Sequence, residues 1–266
     1  METSGANRMD KPKRTPLSGC IFCGCRPLSG EHGLSNWFRT LAHLDFPGRI
    51  ESVRDGVIHE KQAPTFSQKF RVVCEPCNTR WMHDLEERVK TPLSEMVWGR
   101  TRILPSATHR LLATWLVKTC CVMEYSHPVH GENIPQDHYQ QLYELKVRPP
   151  DWCQVWLATA KITPANQDEA CIAEWKCERI PIPSNQITGP DQHWWFGTLR
   201  VGAVLLQVFG SQLDSQPKLD RPHLKGRISQ LWPITRHLVT FPAGPPVTVE
   251  EILPSAMGTS LHLERL

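Results

Sequence analysis

Cys20-Ile21-Phe22-Cys23, then Glu31-His32, then Cys74-Glu75-Pro76-Cys77-Asn78: the reading of these stretches decides how the first third of the chain folds. Each Cys-x-x-Cys turn carries two sulfurs to one ion, and two such turns complete a four-coordinate shell. Cys20, Cys23, Cys74 and Cys77 are therefore the ligands expected for one structural zinc. A shell closed by four thiolates keeps no open position, so that metal does no chemistry. Glu31, His32 and Asn78 are polar groups gathered beside the knuckle, and they point to a second centre.

The stretch from Cys20 to about Glu87 resembles the HNH endonucleases, the ββα-metal nucleases. In the members with zinc knuckles, a Cys-x-x-Cys is followed by an acidic residue and His, then by Cys-x-x-Cys-His or Cys-x-x-Cys-Asn. The Asn variant is similar to the phage endonuclease VII type. The continuation Asn78-Thr79-Arg80-Trp81-Met82-His83-Asp84-Leu85-Glu86 is similar to HNH-like bacterial and phage proteins, as is the later stretch Ala107–Trp115. The resemblance implies a treble-clef-like ββα-metal module and a metal-dependent endonuclease that hydrolyses DNA phosphodiester bonds. It implies His32 as general base and Glu31 with Asn78 holding a divalent metal, magnesium or manganese. His83 is a further metal ligand on the same basis, although it sits one residue off the one-turn spacing from Asn78. The chain departs from the pattern at Ser35, where many relatives have Pro, and in the longer segment before Cys74, which is expected to hold a helix from Ser35 to about Leu44.

Elementary chemistry supports these roles. Hydrolysis of a phosphodiester needs an activated water and neutralised charge on the phosphate. Neutral imidazole is a good proton acceptor near pH 7. A hard divalent cation takes carboxylate and amide oxygens and leaves positions for phosphate and water. Arg80, at the start of the same helix, can pair with a phosphate through two parallel hydrogen bonds. Each residue also has a plainer reading. Asn78 can cap the helix that follows the knuckle. His32 can be a polar neighbour of the zinc. Trp81, Met82 and Leu85 have the spacing of core positions, Glu86 and Glu87 are expected at the surface, the alternative being that one of them approaches the metal, and Arg39 and Arg71 are weaker candidates for backbone contacts. The alternative function is a zinc-stabilised nucleic-acid-binding or protein-interaction protein with an inactive site, acting in phage–host conflict.

Composition bounds these readings. The chain has 266 residues, 40% of them hydrophobic, and a net charge of +3, which suits nucleic acid as partner without demanding it. No apolar run approaches the roughly 18 residues of a membrane span, and the N-terminus lacks a signal-peptide core, so a cytoplasmic protein with no membrane partner is expected. Ten cysteines fit a reducing compartment with metal binding. Cys25 reads as a spectator, Cys120 and Cys121 as packing residues in an apolar helix. Cys171 and Cys177 lie too far apart along one strand to be bridged.

The organisation follows. Residues 1–16 form a basic arm, 17–104 the zinc-binding nuclease-like module, and 105–266 an α+β domain of unassigned role. Ser106 is expected to cap a core helix running to Met123, and a second helix follows Pro135. Gln154–Ala160, Cys171–Ile180, Trp194–Leu199, Ala203–Phe209 and His237–Phe241 read as strands, with a turn at Gly202. The fold class is α+β: the zinc-knuckle module, a helical segment, and a mostly antiparallel sheet. Trp194-Trp195-Phe196 reads as core rather than as a base-stacking platform.

Overall fold

The computed structural model describes residues 17–38, 47–54, 57–64, 69–126, 133–161, 173–182, 192–213, 219 and 221–253. Arg39, Cys171 and most of the helix expected from Ser35 lie outside them; the helical stretch begins at Trp37 and Phe38.

The molecule mixes helix and sheet, as the α+β reading requires. Its largest sheet has five antiparallel strands in the order β10-β6-β9-β8-β7. They are β6 (Cys153–Thr159), β7 (Ala173–Pro181), β8 (His193–Val201), β9 (Val204–Ser211) and β10 (Ile228–Trp232). Period-two alternation explains why both faces are buried. On β8, Trp195, Leu199 and Val201 face the main core, while Trp194 and Phe196 face a second cluster with Trp156 and Phe209. Trp194, Trp195 and Phe196 are each 1% exposed or less, so these rings pack rather than offer a stacking surface. Gly202 has φ of 54° and turns β8 into β9.

Two helices cover the inner face. The helix Ser106–Met123 is buried along most of its length because apolar residues recur around its whole circumference. It packs on β9 and β10. Ser106 does not cap it. Pro105 holds the cap position, and the Ser106 hydroxyl donates to the His237 carbonyl at 3.2 Å, just before β11 (Leu238–Phe241). β11 pairs antiparallel with β5 (Arg102–Pro105), a connection that carries the chain into the helix.

The first third is built from short pieces. β1 (Leu28–His32) pairs antiparallel with β4 (Lys69–Cys74), and β2 (Pro47–Arg54) pairs with β3 (Val57–Pro64). From Cys74 the chain turns straight into helix: α1 (Glu75–Cys77), a π-helical turn over Asn78–Met82, and α2 (His83–Val97). With the later helices numbered on, Ser106–Met123 is α3, Gln136–Leu145 is α4 and Val249–Ile252 is α5. Met82 in the π-helical turn and Leu85 are buried, as their spacing predicts, and with Val89 and Leu93 they line the core where α2 packs on α3. A single apolar cluster runs from Cys20 through α2 and α3 to Leu231, Val239 and Phe241, so the core is continuous across the expected boundary after residue 104. No helix among the described residues is long and apolar enough to cross a membrane.

Candidate metal centre and adjoining cleft

The sulfurs of Cys20, Cys23, Cys74 and Cys77 all lie within 4.8 Å of one another. The first pair sits in a tight turn in which the Gly24 amide donates to the Cys20 carbonyl at 2.8 Å and the Cys20 amide donates to the Cys25 carbonyl at 3.0 Å. Gly24 holds φ of +73°, a conformation open to glycine. A Cβ on Gly19 would run into the Gly24 carbonyl, so both glycines are dictated by the turn. The Ile21 amide donates to the Val72 carbonyl, which fastens the turn to β4. Cys74 ends β4 and Cys77 closes α1, so one strand-to-helix junction delivers the second pair.

These donors fit a tetrahedral thiophilic ion. A zinc–sulfur bond of roughly 2.3 Å implies sulfurs about 3.8 Å apart. Cys23 lies 3.4 Å from Cys74 and 3.5 Å from Cys77. Both separations far exceed the roughly 2.05 Å of a disulfide, and all four thiols are free. Without a cation the cluster resists ionisation. A hydrogen bond from Cys77 draws the Cys20 thiol down to about 4, the same contact pushes Cys77 up, and burial pushes Cys74 up to about 11. Cys20 thus ionises readily, whereas Cys74 and Cys77 need compensating positive charge, which a bound metal would supply. Cys25 is exposed and outside the cluster.

Beside the cluster, a cleft of about 340 Å³ is lined by Gly30, Glu31, His32, Asn36, Trp37, Asn78, His83, Glu86 and Glu87. The residues singled out by motif thus converge from β1 and from the helix start. A register shift between Ser29 and Glu31 marks an irregularity in β1; bulges of this kind re-aim side chains. Glu31 is buried while His32 is half-buried on the cleft wall. Asn78 does not cap the helix. Cys74 holds that position, and Asn78 has helical φ and ψ. Its side-chain amide instead donates to Ser29 Oγ at 3.3 Å and to the Gly30 carbonyl at 3.4 Å, joining the helix to β1. Arg80 is exposed and is not among the residues lining the cleft. Arg71, also exposed, donates to the Leu28 carbonyl. A larger pocket of about 540 Å³ lies on the other side of the knuckle, but its lining gathers no histidine and one carboxylate, Glu144.

A buried lysine joins two of the lining carboxylates. Lys118, from the middle of α3, is 1% exposed; its Nζ lies 2.6 Å from Glu86 Oε1 and 3.5 Å from Glu31 Oε1. Glu86 is therefore not a surface residue. Burial pushes the Glu31 carboxyl up to about 7 against the pull of Lys118. Burial also opposes ionisation of Glu86, but the nearer Lys118 ammonium, with the nearby Ser35 hydroxyl and His32 adding to it, outweighs it and holds that carboxyl below its usual range. Lys118 pays for its burial through both carboxylates, which together raise its pKa above the ordinary value. A lysine in the middle of an all-round apolar helix was the available signal, because a buried ammonium needs partners.

The cleft also offers the donor types a hard divalent cation takes. Lys118 contacts the Oε1 atom of each glutamate and Asn78 turns its nitrogen to β1, so the cleft is lined by carboxylate and amide oxygens of the kind such a cation takes. No protein-family model matches the chain, and neither a curated protein nor a solved structure does.

Proposed function

We propose that this chain is a zinc-stabilised, metal-dependent endonuclease of the ββα-metal, treble-clef-like type, which hydrolyses phosphodiester bonds in DNA. The observation that carries the reading is the convergence of Glu31, His32 and Asn78, from distant parts of the sequence, on one cleft beside a four-cysteine cluster. In this reading zinc at Cys20, Cys23, Cys74 and Cys77 is structural and fixes the junction of β4 with α1. Glu31 and Asn78 would hold magnesium or manganese, with the exposed His83, which also lines the cleft, as a further ligand. Bound there, the divalent cation neutralises the phosphate and steadies the leaving oxygen. His32 takes a proton from the attacking water at an imidazole nitrogen, which requires the neutral ring. Arg80, outside the cleft, meets a phosphate flanking the one cut.

A second reading is favoured by the burial of Glu31 and its contact with Lys118: the cleft is inactive, and the chain binds nucleic acid or a protein partner without cutting. Plasmid nicking with magnesium or manganese separates the two. Wild type should nick, and His32→Ala should keep its zinc and fold while losing roughly 10²–10⁴-fold in rate. Binding without nicking by wild type selects the second reading. Unchanged cleavage by folded His32→Ala removes His32 as the base.

A further inference from the structure

We propose that Glu86 is a third protein oxygen ligand of the divalent cation, and that Lys118 is the positioning residue that sets it beside Glu31; this rests on reading the cleft as a nuclease site. Glu86 lies on α2 two turns beyond Asn78 and lines the same cleft. Its Oε1 and that of Glu31 are tied to one nitrogen, at 2.6 Å and 3.5 Å, so a buried ammonium fixes the two carboxylates relative to each other. The nitrogen is rigid in its turn, because Lys118 is fully enclosed by α3 and its neighbours. When both carboxyls are ionised, one ammonium faces two negative charges, and a cation in the cleft would supply the second positive charge. A buried excess charge is costly unless it is paired. Both carboxylates line the cleft, where Glu86 keeps 17% of its side chain exposed and Glu31 keeps 6%, so Glu86 is the more reachable of the two. A hard cation takes six or more oxygens; two carboxylates and the Asn78 amide supply three and leave the others to water and phosphate.

The decisive measurement is stoichiometric Mn²⁺ binding to the zinc-loaded full chain, followed by electron paramagnetic resonance, with zinc content and melting temperature recorded for every variant. Wild type should bind one Mn²⁺. Glu86→Gln, which keeps an oxygen for Lys118 but loses the charge, should raise the dissociation constant by at least about tenfold. Glu31→Gln should do the same, and Glu87→Gln, in the same cleft without the Lys118 contact, should leave it within about threefold. Should Glu86→Gln fail to fold, Glu86→Asp keeps the charge and withdraws the oxygen by one methylene; it too should bind Mn²⁺ at least several-fold more weakly. Wild-type affinity in whichever Glu86 variant folds, together with loss in Glu31→Gln, overturns the assignment of Glu86 and leaves the nuclease reading standing. Absence of a stoichiometric Mn²⁺ site in wild type overturns both.

Discussion

His138 shows at the scale of one residue how burial becomes a pH dependence. Its ring stacks on Trp152 with centroids 3.8 Å apart and planes 7° from parallel, and Trp195 Nε1 donates to its Nδ1 at 3.1 Å. Nδ1 is therefore an acceptor, and the neutral ring is the one that fits. Burial, with His193 adding to it, draws its pKa down to about 3. The unfolded chain takes up a proton near pH 6.5, whereas the folded protein does not until far lower. Stability from this site is complete above about pH 6.5 and declines as pH falls toward 3, by roughly 3 kcal/mol at pH 4. Melting of wild type and His138→Gln across pH 4–7 checks this. The variant, less stable at pH 7, should show a flatter slope; parallel slopes would remove His138 as the cause. Residues of this kind were the hardest to foresee. The four cysteines were legible because their partners are spaced locally in pairs. Lys118 finds Glu86 and Glu31 only after three elements have packed, so its role could not be read from spacing, and Glu86 was taken for a surface residue for the same reason.

Among the elements, legibility followed length and regularity. β8 and β9 are largely apolar runs of nine and eight residues, buried throughout, and both stand close to their expected limits. β10 went unread: its five residues, Ile-Ser-Gln-Leu-Trp, carry too little alternation, and Pro233 follows at once. β1, β4 and β5 are equally short and are held by pairing across long sequence separations rather than by pattern. α5 is an opposite case, a four-residue helix that owes its existence to its cap. The Glu251 amide donates to Thr248 Oγ1 at 3.2 Å, and the Thr248 amide donates to Glu251 Oε2 at 2.7 Å. Arg227 also binds Glu251, and this contact, followed by the Thr248 amide, holds the Glu251 carboxyl down at about 2. Val249 and Ile252 thereby cover Ala158 and Leu205 on the outer face of the sheet. Thr248→Ala should cost about 1 kcal/mol of stability and Thr248→Ser much less, measured by urea denaturation at neutral pH. Equal losses in the two variants would mean that the methyl group, rather than the hydroxyl, is what the helix needs.

At the scale of the whole molecule, the knuckle and the sheet share one core. Phe22, between the first two cysteines of the cluster, meets Trp81 edge-on at 5.1 Å and Tyr139 of α4 at 6.3 Å. Tyr139 is buried in the same cluster as Trp195 of β8, and α3 passes from the cleft at Lys118 to its seat on β9 and β10. A metal in the cysteine cluster therefore braces a wall that the sheet also leans on, and binding free energy of a structural metal is folding free energy. Cys23→Ser, or zinc removal by a chelator, should lower the melting temperature of the entire chain in one transition. The packed Trp194 and Trp195 report on the sheet through near-ultraviolet circular dichroism, zinc release reports on the first third, and the far-ultraviolet signal reports on the helices of both parts. Coincident shifts in all three establish one cooperative unit. A sheet signal that keeps its wild-type midpoint while zinc is lost would mean instead that residues 17–104 unfold by themselves, and that Lys118 reaches into a separable module rather than joining the halves of a single one.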